Sequence, residues 1–231
     1  MINLNNDIID ILLYERTSDI KLNVDVYNTI PRHLKESEEQ KGRTKEKAEV
    51  FTPVSIIKEM NDALDAKYDF DEYIDELVLE ATCGEAPFLT TRYDVASGQQ
   101  IPCGDRVGLL DRKLQRIPDS VDKSEWTALA TRSLKATYGY EWQEDSIFLA
   151  RKNLLLNTIE YHIDRFNELP DQDDIKEWAT IISYNIFRMD GVTLCIPETN
   201  IKSKVMNWET NKIENFDGSK NLRIEIEEQL F

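Results

Sequence analysis

The sequence predicts an α/β fold with a ligand-cradling turn at the end of a parallel strand, and three observations predict it. LVLEA, residues 77 to 81, is a short apolar run with acidic residues before it and the turn TCGEAP after it, as a buried parallel strand requires. TYGYEW, ending at Glu141 and Trp142, has the aromatic enrichment of a strand and leads into QEDSIFLARKNLLLNTIEYHIDRF, where Ile147, Ala150, Leu154, Leu155 and Ile159 mark one apolar helical face. DQDDIKEWATIISYNIF is a further helical stretch that runs into a strand candidate ending near Met189 and Asp190. Strands that alternate with helices read as a parallel sheet.

The remaining elements follow in chain order. Ile8, Ile9, Ile11, Leu12, Leu13 and Tyr14 fit a short helix, and the alternating LNVDVY after it fits a strand that Pro31 ends. RHLKESEEQKGRTKEK is charge and little else: a solvated linker or a phosphate-contacting arm, its mixed signs favouring the linker. From Thr52, an N-capping threonine and a first-turn proline open a helix in which Ile56, Ile57, Met60 and Leu64 recur at helical spacing. Residues 87 to 95 read as a short helix, SGQQIPCGDRVG as an inserted loop, and VGLLDRKLQRI as a helix or a strand. Beyond Asp190 the pattern is less regular. The expected organisation is an N-terminal segment and charged linker over 1–47, a ligand-binding domain over 48–200, and a C-terminal extension over 201–231, read as truncated.

Composition narrows the function. The 231 residues are 41% hydrophobic and 31% charged, ordinary for a globular chain with a real core. No apolar run approaches the roughly 20 residues that span a bilayer, and MINLNNDIID lacks the pattern of a secretory signal, so a cytoplasmic location with no membrane partner is expected. Cys83, Cys103 and Cys195 lack the short paired spacings of zinc or redox sites, which predicts reduced structural thiols and no metal. With 44 acidic against 28 basic residues, the net charge of −16 opposes binding to a polyanion. His162, in a helix, reads as structural, and the scattered Trp126, Trp142, Trp178 and Trp208 read as packing residues.

A strand, a glycine-containing turn and a helix form a cradle for an anionic or nucleotide-like ligand. In LEATCGEAPFL, residues 79 to 89, that pattern resembles motif I of the amino-methyltransferases that modify DNA, through Cys83-Gly84 and Phe88-Leu89. Glu80 stands where the family commonly has Asp, and Ala86 stands where a second glycine is usual; alanine is strained there if φ is positive. AEVFTP, residues 48 to 53, resembles motif X and lies a helix's length upstream, which implies that Phe51 and Thr52 flank the methionine end of S-adenosyl-L-methionine. Glu141 stands where such folds place an acid that accepts both ribose hydroxyls, and Trp142 beside it would pack on adenine. In NIFRMDG, Asp190 would accept from the adenine amino group and Phe187 would help form its apolar wall.

Four segments in this order over Ala48 to Gly191 resemble the DNA adenine-N6 methyltransferases, in particular methylase subunits or domains of restriction–modification systems. The resemblance implies a Rossmann-like, class I S-adenosylmethionine-dependent methyltransferase fold with a short N-terminal segment, the site comprising Phe51, Thr52, Glu80, Cys83, Gly84, Glu141, Trp142, Phe187 and Asp190. It also calls for a D/N-P-P-Y/F loop to clamp the flipped base, and the seven prolines include no Pro-Pro pair. Catalytic residues are therefore unassigned. Three readings stand: a cofactor-binding portion that reaches DNA only with a partner protein or a missing domain and is inactive alone; a degenerate methyltransferase fold kept as a binding or regulatory subunit; or a methyltransferase acting on another substrate.

Overall fold

The computed structural model describes residues 2, 4–35, 40, 52–65, 70–95 and 97–218. Helix α1 (Asn6–Leu13) starts at Asn5, whose side chain accepts from the Ile8 N–H, and it buries Ile8, Leu12 and Leu13. A two-residue hairpin follows, β1 (Tyr14–Glu15) against β2 (Ile20–Lys21). Helix α2 (Val54–Asp65) opens after Pro53, and α3 (Phe70–Asp75) leads into β3 (Val78–Glu80). Helices α4 (Leu109–Gln115) and α5 (Lys123–Lys135) precede β4 (Thr137–Glu141). The 23-residue α6 (Glu144–Phe166) and α7 (Gln172–Asn185) precede β5 (Ile186–Arg188), and an antiparallel hairpin of β6 (Lys204–Asn207) and β7 (Lys212–Asn215) closes the described chain.

The fold is mixed α/β around a parallel sheet ordered β3-β4-β5, as the three strand observations require. Alternation along β4 divides the core. Gly139 faces the helices, where an added Cβ would lie 3.1 Å from Ile186 Cδ1 and 3.2 Å from Cys83 Sγ. Tyr138 turns to the other face and joins Phe187, Met189, Val205 and Phe216 under the β6–β7 hairpin. The larger cluster lies on the helical side, where Trp126 of α5 and Trp178 of α7 are fully buried with Ile147, Leu154, Leu155 and Ile159 of α6. The three cysteines are free and buried, and His162 sits between Trp126 and Phe166.

Several expectations are corrected. LNVDVY is not a strand: Asp25 accepts from the Tyr27 and Asn28 N–H groups and turns the chain locally, a side-chain bond that displaces a ladder. Residues 87 to 95 form a turn at 87–89 and then an irregular stretch with an isolated bridge from Tyr93 to Gln100 rather than a helix, because two buried acidic side chains capture their backbone: Glu80 takes the Phe88 and Leu89 N–H groups and Asp111 takes that of Thr91. VGLLDRKLQRI resolves into α4, while α5 and the β6–β7 hairpin were not anticipated. In α2 only Ile57 of the four apolar positions is buried; Ile56, Met60 and Leu64 are exposed. The expected charged linker begins as a 3₁₀ turn at Arg32–Leu34, and most of the rest of it lies outside the described residues.

Candidate functional site

Parallel pairing sets the site. Leu79 lies opposite Tyr138 and Glu80 opposite Gly139, while Glu141 lies opposite Arg188, so all three strands end at one edge. Ligands of open parallel sheets bind beyond that edge. The chain crosses it at the turn after β3, at Glu141–Gln143 after β4, and at Met189–Gly191 after β5.

The turn after β3 is shaped by positive φ at Thr82 (49°), Gly84 (53°) and Ala86 (62°). Cys83 between them is buried, its N–H donating to the Tyr140 carbonyl at 2.9 Å and its carbonyl accepting from the Ala86 N–H at 2.7 Å. Burial pushes its thiol pKa well above the ordinary range, so Cys83 serves the packing against Gly139 rather than nucleophilic chemistry. Glu80 also points inward. Its carboxylate accepts from the Phe88 and Leu89 N–H groups, 3.2 Å each, and braces the turn from beneath. Burial, with a smaller contribution from the Glu141 charge, raises its pKa to about 8 against the lowering effect of those two bonds.

Gly84 is the open point of the turn: a Cβ built there meets nothing within 4 Å. Its N–H donates to Glu141 Oε2 at 2.9 Å, while Glu141 Oε1 accepts from the N–H groups of Trp142 (2.7 Å) and Gln143 (3.0 Å). Two residues predicted from segments 57 positions apart are thus in contact. The carboxylate offers about four acceptor positions and three are filled. Trp142 beside it is 39% exposed at the rim.

On the third strand, the Met189 N–H donates to the Glu141 carbonyl at 3.0 Å and carries the next residue, Asp190, to the same edge. The Asp190 carboxylate accepts from the Val192 N–H (2.8 Å) and the Thr193 hydroxyl (2.9 Å), which together hold its pKa below the usual carboxylate value. Phe187 does not reach this face. It is fully buried among Tyr140, Phe216 and the hairpin on the far side of the sheet. Thr52 lies just ahead of α2, which docks on the turn through Asn61; that amide donates to the carbonyls of Phe88 (3.1 Å) and Val107 (2.9 Å). Phe51 lies outside the described residues.

Sequence reasoning missed Glu85, Tyr93 and Asn153. Glu85 follows Gly84, and its Oε2 accepts from the Tyr93 hydroxyl at 2.5 Å, while Asn153 of α6 donates to the Glu85 carbonyl and to the Tyr93 oxygen. No local pattern marks these residues, because each acts through a partner distant in sequence. A separate cavity of about 390 Å³, lined by Lys58, Arg106, Arg112 and Arg116 among others, shares no residue with this edge, and its guanidinium groups are held by Glu160, Asp62 and Asp65. Among the described residues no His/Cys/Asp/Glu group is arranged to hold a metal ion, and no helix is long and apolar enough to cross a membrane.

Searches of the curated proteins and of the solved structures return no match. The scan against protein-family models matches N-6 DNA methylase over residues 22–184, most of the chain, including β3, β4 and α6. With that match and the meeting of the turn with Glu141 at one sheet edge, the chain belongs to the N-6 DNA methylase family.

Proposed function

We propose that this chain is the S-adenosyl-L-methionine-binding part of a DNA adenine-N6 methyltransferase of a restriction–modification system, incomplete as a lone chain. The observation that carries the reading is the contact between the open Gly84 and the Glu141 carboxylate at the carboxyl edge of the parallel sheet. A Rossmann-like cofactor fold over residues 48–200 is the architecture it implies.

The residues fit the group. Glu141 is acceptor-only and has one acceptor position to spare, so taking both ribose hydroxyls requires it to release one backbone bond, the Gly84 N–H being the one that crosses the cleft. Gly84 leaves room for a ligand against its backbone, Trp142 offers a flat apolar surface at the rim, and Asp190 offers a carboxylate for the adenine amino group. Thr52 and Phe51 are assigned to the methionine end through the motif X resemblance. Glu80 and Cys83 support the turn instead of touching ligand, and Phe187 acts by packing. When bound, the cofactor supplies an electrophilic methyl group on sulfur. The base clamp and the cationic surface for DNA come from a partner protein or a further domain, since the acidic chain offers neither.

Ala86 favours a second reading, a degenerate methyltransferase fold kept as a binding or regulatory subunit. Its φ of 62° places alanine where the backbone prefers glycine. Titration calorimetry with S-adenosyl-L-methionine separates the two. Saturable binding, weakened about tenfold or more by Glu141→Ala and by Asp190→Ala, is the expected result, since each removes bonds to a charged acceptor. Absence of binding at millimolar cofactor would sink the first reading and leave the second.

A further inference from the structure

The segment that precedes Lys35 is tied to residues on both sides of this site, Glu144 and Asp145 after Glu141 and Glu85 after Gly84. Leu22 is buried and its N–H donates to the Leu13 carbonyl, which fixes the root of the segment in the core. Asn23 then donates its N–H to Glu144 Oε2 at 2.7 Å, at the start of α6. From Asp25 to Thr29 the chain bonds to itself, and Tyr27 (92%) and Leu34 (60%) stand out into solvent. The Arg32 N–H donates to Glu85 Oε1 at 2.8 Å, and the His33 ring meets Tyr93 edge-on with centroids 5.0 Å apart. Lys35 Nζ returns to Asp145 Oδ2 at 3.8 Å. The path runs from the helix wall of the cleft to its turn wall and back.

We infer that Tyr27–Lys35 is a clasp over the cofactor cleft, and that its closure and occupancy of the cleft are coupled; the inference rests on the cofactor reading above. Its attachment points adjoin the proposed contacts, Glu85 being bonded to Gly84 and Glu144 and Asp145 following Glu141 by one turn of chain. Glu85 is the positioning residue. One of its oxygens holds the clasp and the other holds Tyr93, so a ligand that fixes the backbone at Gly84 also fixes the carboxylate on which the clasp closes. Beyond Val26 the clasp adds no residue to the hydrophobic core; it is held by polar bonds and by the His33–Tyr93 contact, with Arg32 and the Lys35 side chain buried against the rim when it is closed. By linkage, a clasp that closes more firmly on the occupied site must raise the affinity of that site by the same factor.

Hydrogen exchange of the purified chain, with and without S-adenosyl-L-methionine, tests this beside calorimetry of the same samples and of Lys35→Ala. The expected result is that cofactor slows exchange of amides in 27–35 by about fivefold or more, and that Lys35→Ala loses a similar factor in affinity through faster dissociation while exchange of the buried α6 amides stays as in the parent. Binding heat with unchanged exchange over 27–35, or parental affinity in Lys35→Ala, overturns the clasp and leaves the cofactor reading standing. No binding heat in the parent removes both.

Discussion

Thr82 and Ala86 both occupy the left-handed region, yet the two positions respond differently to glycine. The left-handed conformation costs an L-residue about 1–2 kcal/mol. At Ala86 the methyl is fully buried, so glycine gives up about 0.8 kcal/mol of burial and adds unfolded-chain entropy of similar size, and the terms cancel. Thr82 is exposed and β-branched, with no burial to lose. The glycine entropy cost applies at Thr82 too, so Thr82→Gly is expected to raise stability by about 0.5 kcal/mol, and Ala86→Gly to change it by less, in parallel denaturant titrations. Glu80 makes a second prediction at this scale. Native Glu80 keeps its proton to about pH 8, whereas at its ordinary value of 4.5 the unfolded chain has released it. Across that window Glu80 keeps the native state more protonated, so its contribution to stability falls as pH rises; Asp111, raised by burial to about 6, adds to the fall at the acid end, while Lys113, lowered by burial to about 7, opposes it above that pH. Melting temperatures from pH 5 to 7 should decline more steeply in the parent than in Glu80→Gln, and equal slopes would contradict the assignment.

At the scale of elements, α6 organises the molecule by using two faces for different purposes. Its apolar residues fill the main core, while Asn153, Asn157 and Glu160 form a polar stripe that holds the long loop between β3 and α4. Glu160 takes Arg92 at 2.5 Å and Arg106 at 2.6 Å. Burial acts to raise its pKa, but the two guanidinium groups prevail and lower it. Glu160→Ala leaves both cations short of a partner and should cost about 2 kcal/mol, with exchange rising first in the 92–106 loop. Arg151 is a third device on α6. Fully buried, it donates to the carbonyls of Leu12, Tyr14, Ser183 and Ile186, and so ties α1 and the end of α7 to the sheet. In the sequence, ARKNLLL shows the apolar face but gives no sign that its arginine lies inside.

For the whole molecule, the net charge of −16 governs encounter with nucleic acid. The free chain is expected to shift no duplex DNA in a gel at about 150 mM salt, and retention there would contradict the proposal that a partner or further domain supplies the phosphate contacts. Among the described residues β3 is paired only with β4, so the strand that carries the Cys83–Gly84 turn stands at an edge of the sheet.

Local pattern alone is enough to place the segments of the parallel strands in order, the turn after β3, and Glu141 and Asp190 at strand ends. Those features are written in local periodicity and in strand–turn–helix order, which survive without tertiary context. The family followed from the same residues. Which of the predicted residues face the carboxyl edge of the sheet depends on packing. Phe187 and Glu80 sit on strands whose alternating sides look alike in sequence, and which side is core depends on what packs there: the β6–β7 hairpin over Phe187, the turn itself over Glu80. The same holds for the helix expected over 87–95, which two distant carboxylates unwound, and for Glu85, whose partners Arg32, Tyr93 and Asn153 meet only when the chain is folded. Side-chain to backbone bonds across long separations override local propensity because a buried N–H or carboxylate must be paired wherever its partner comes from.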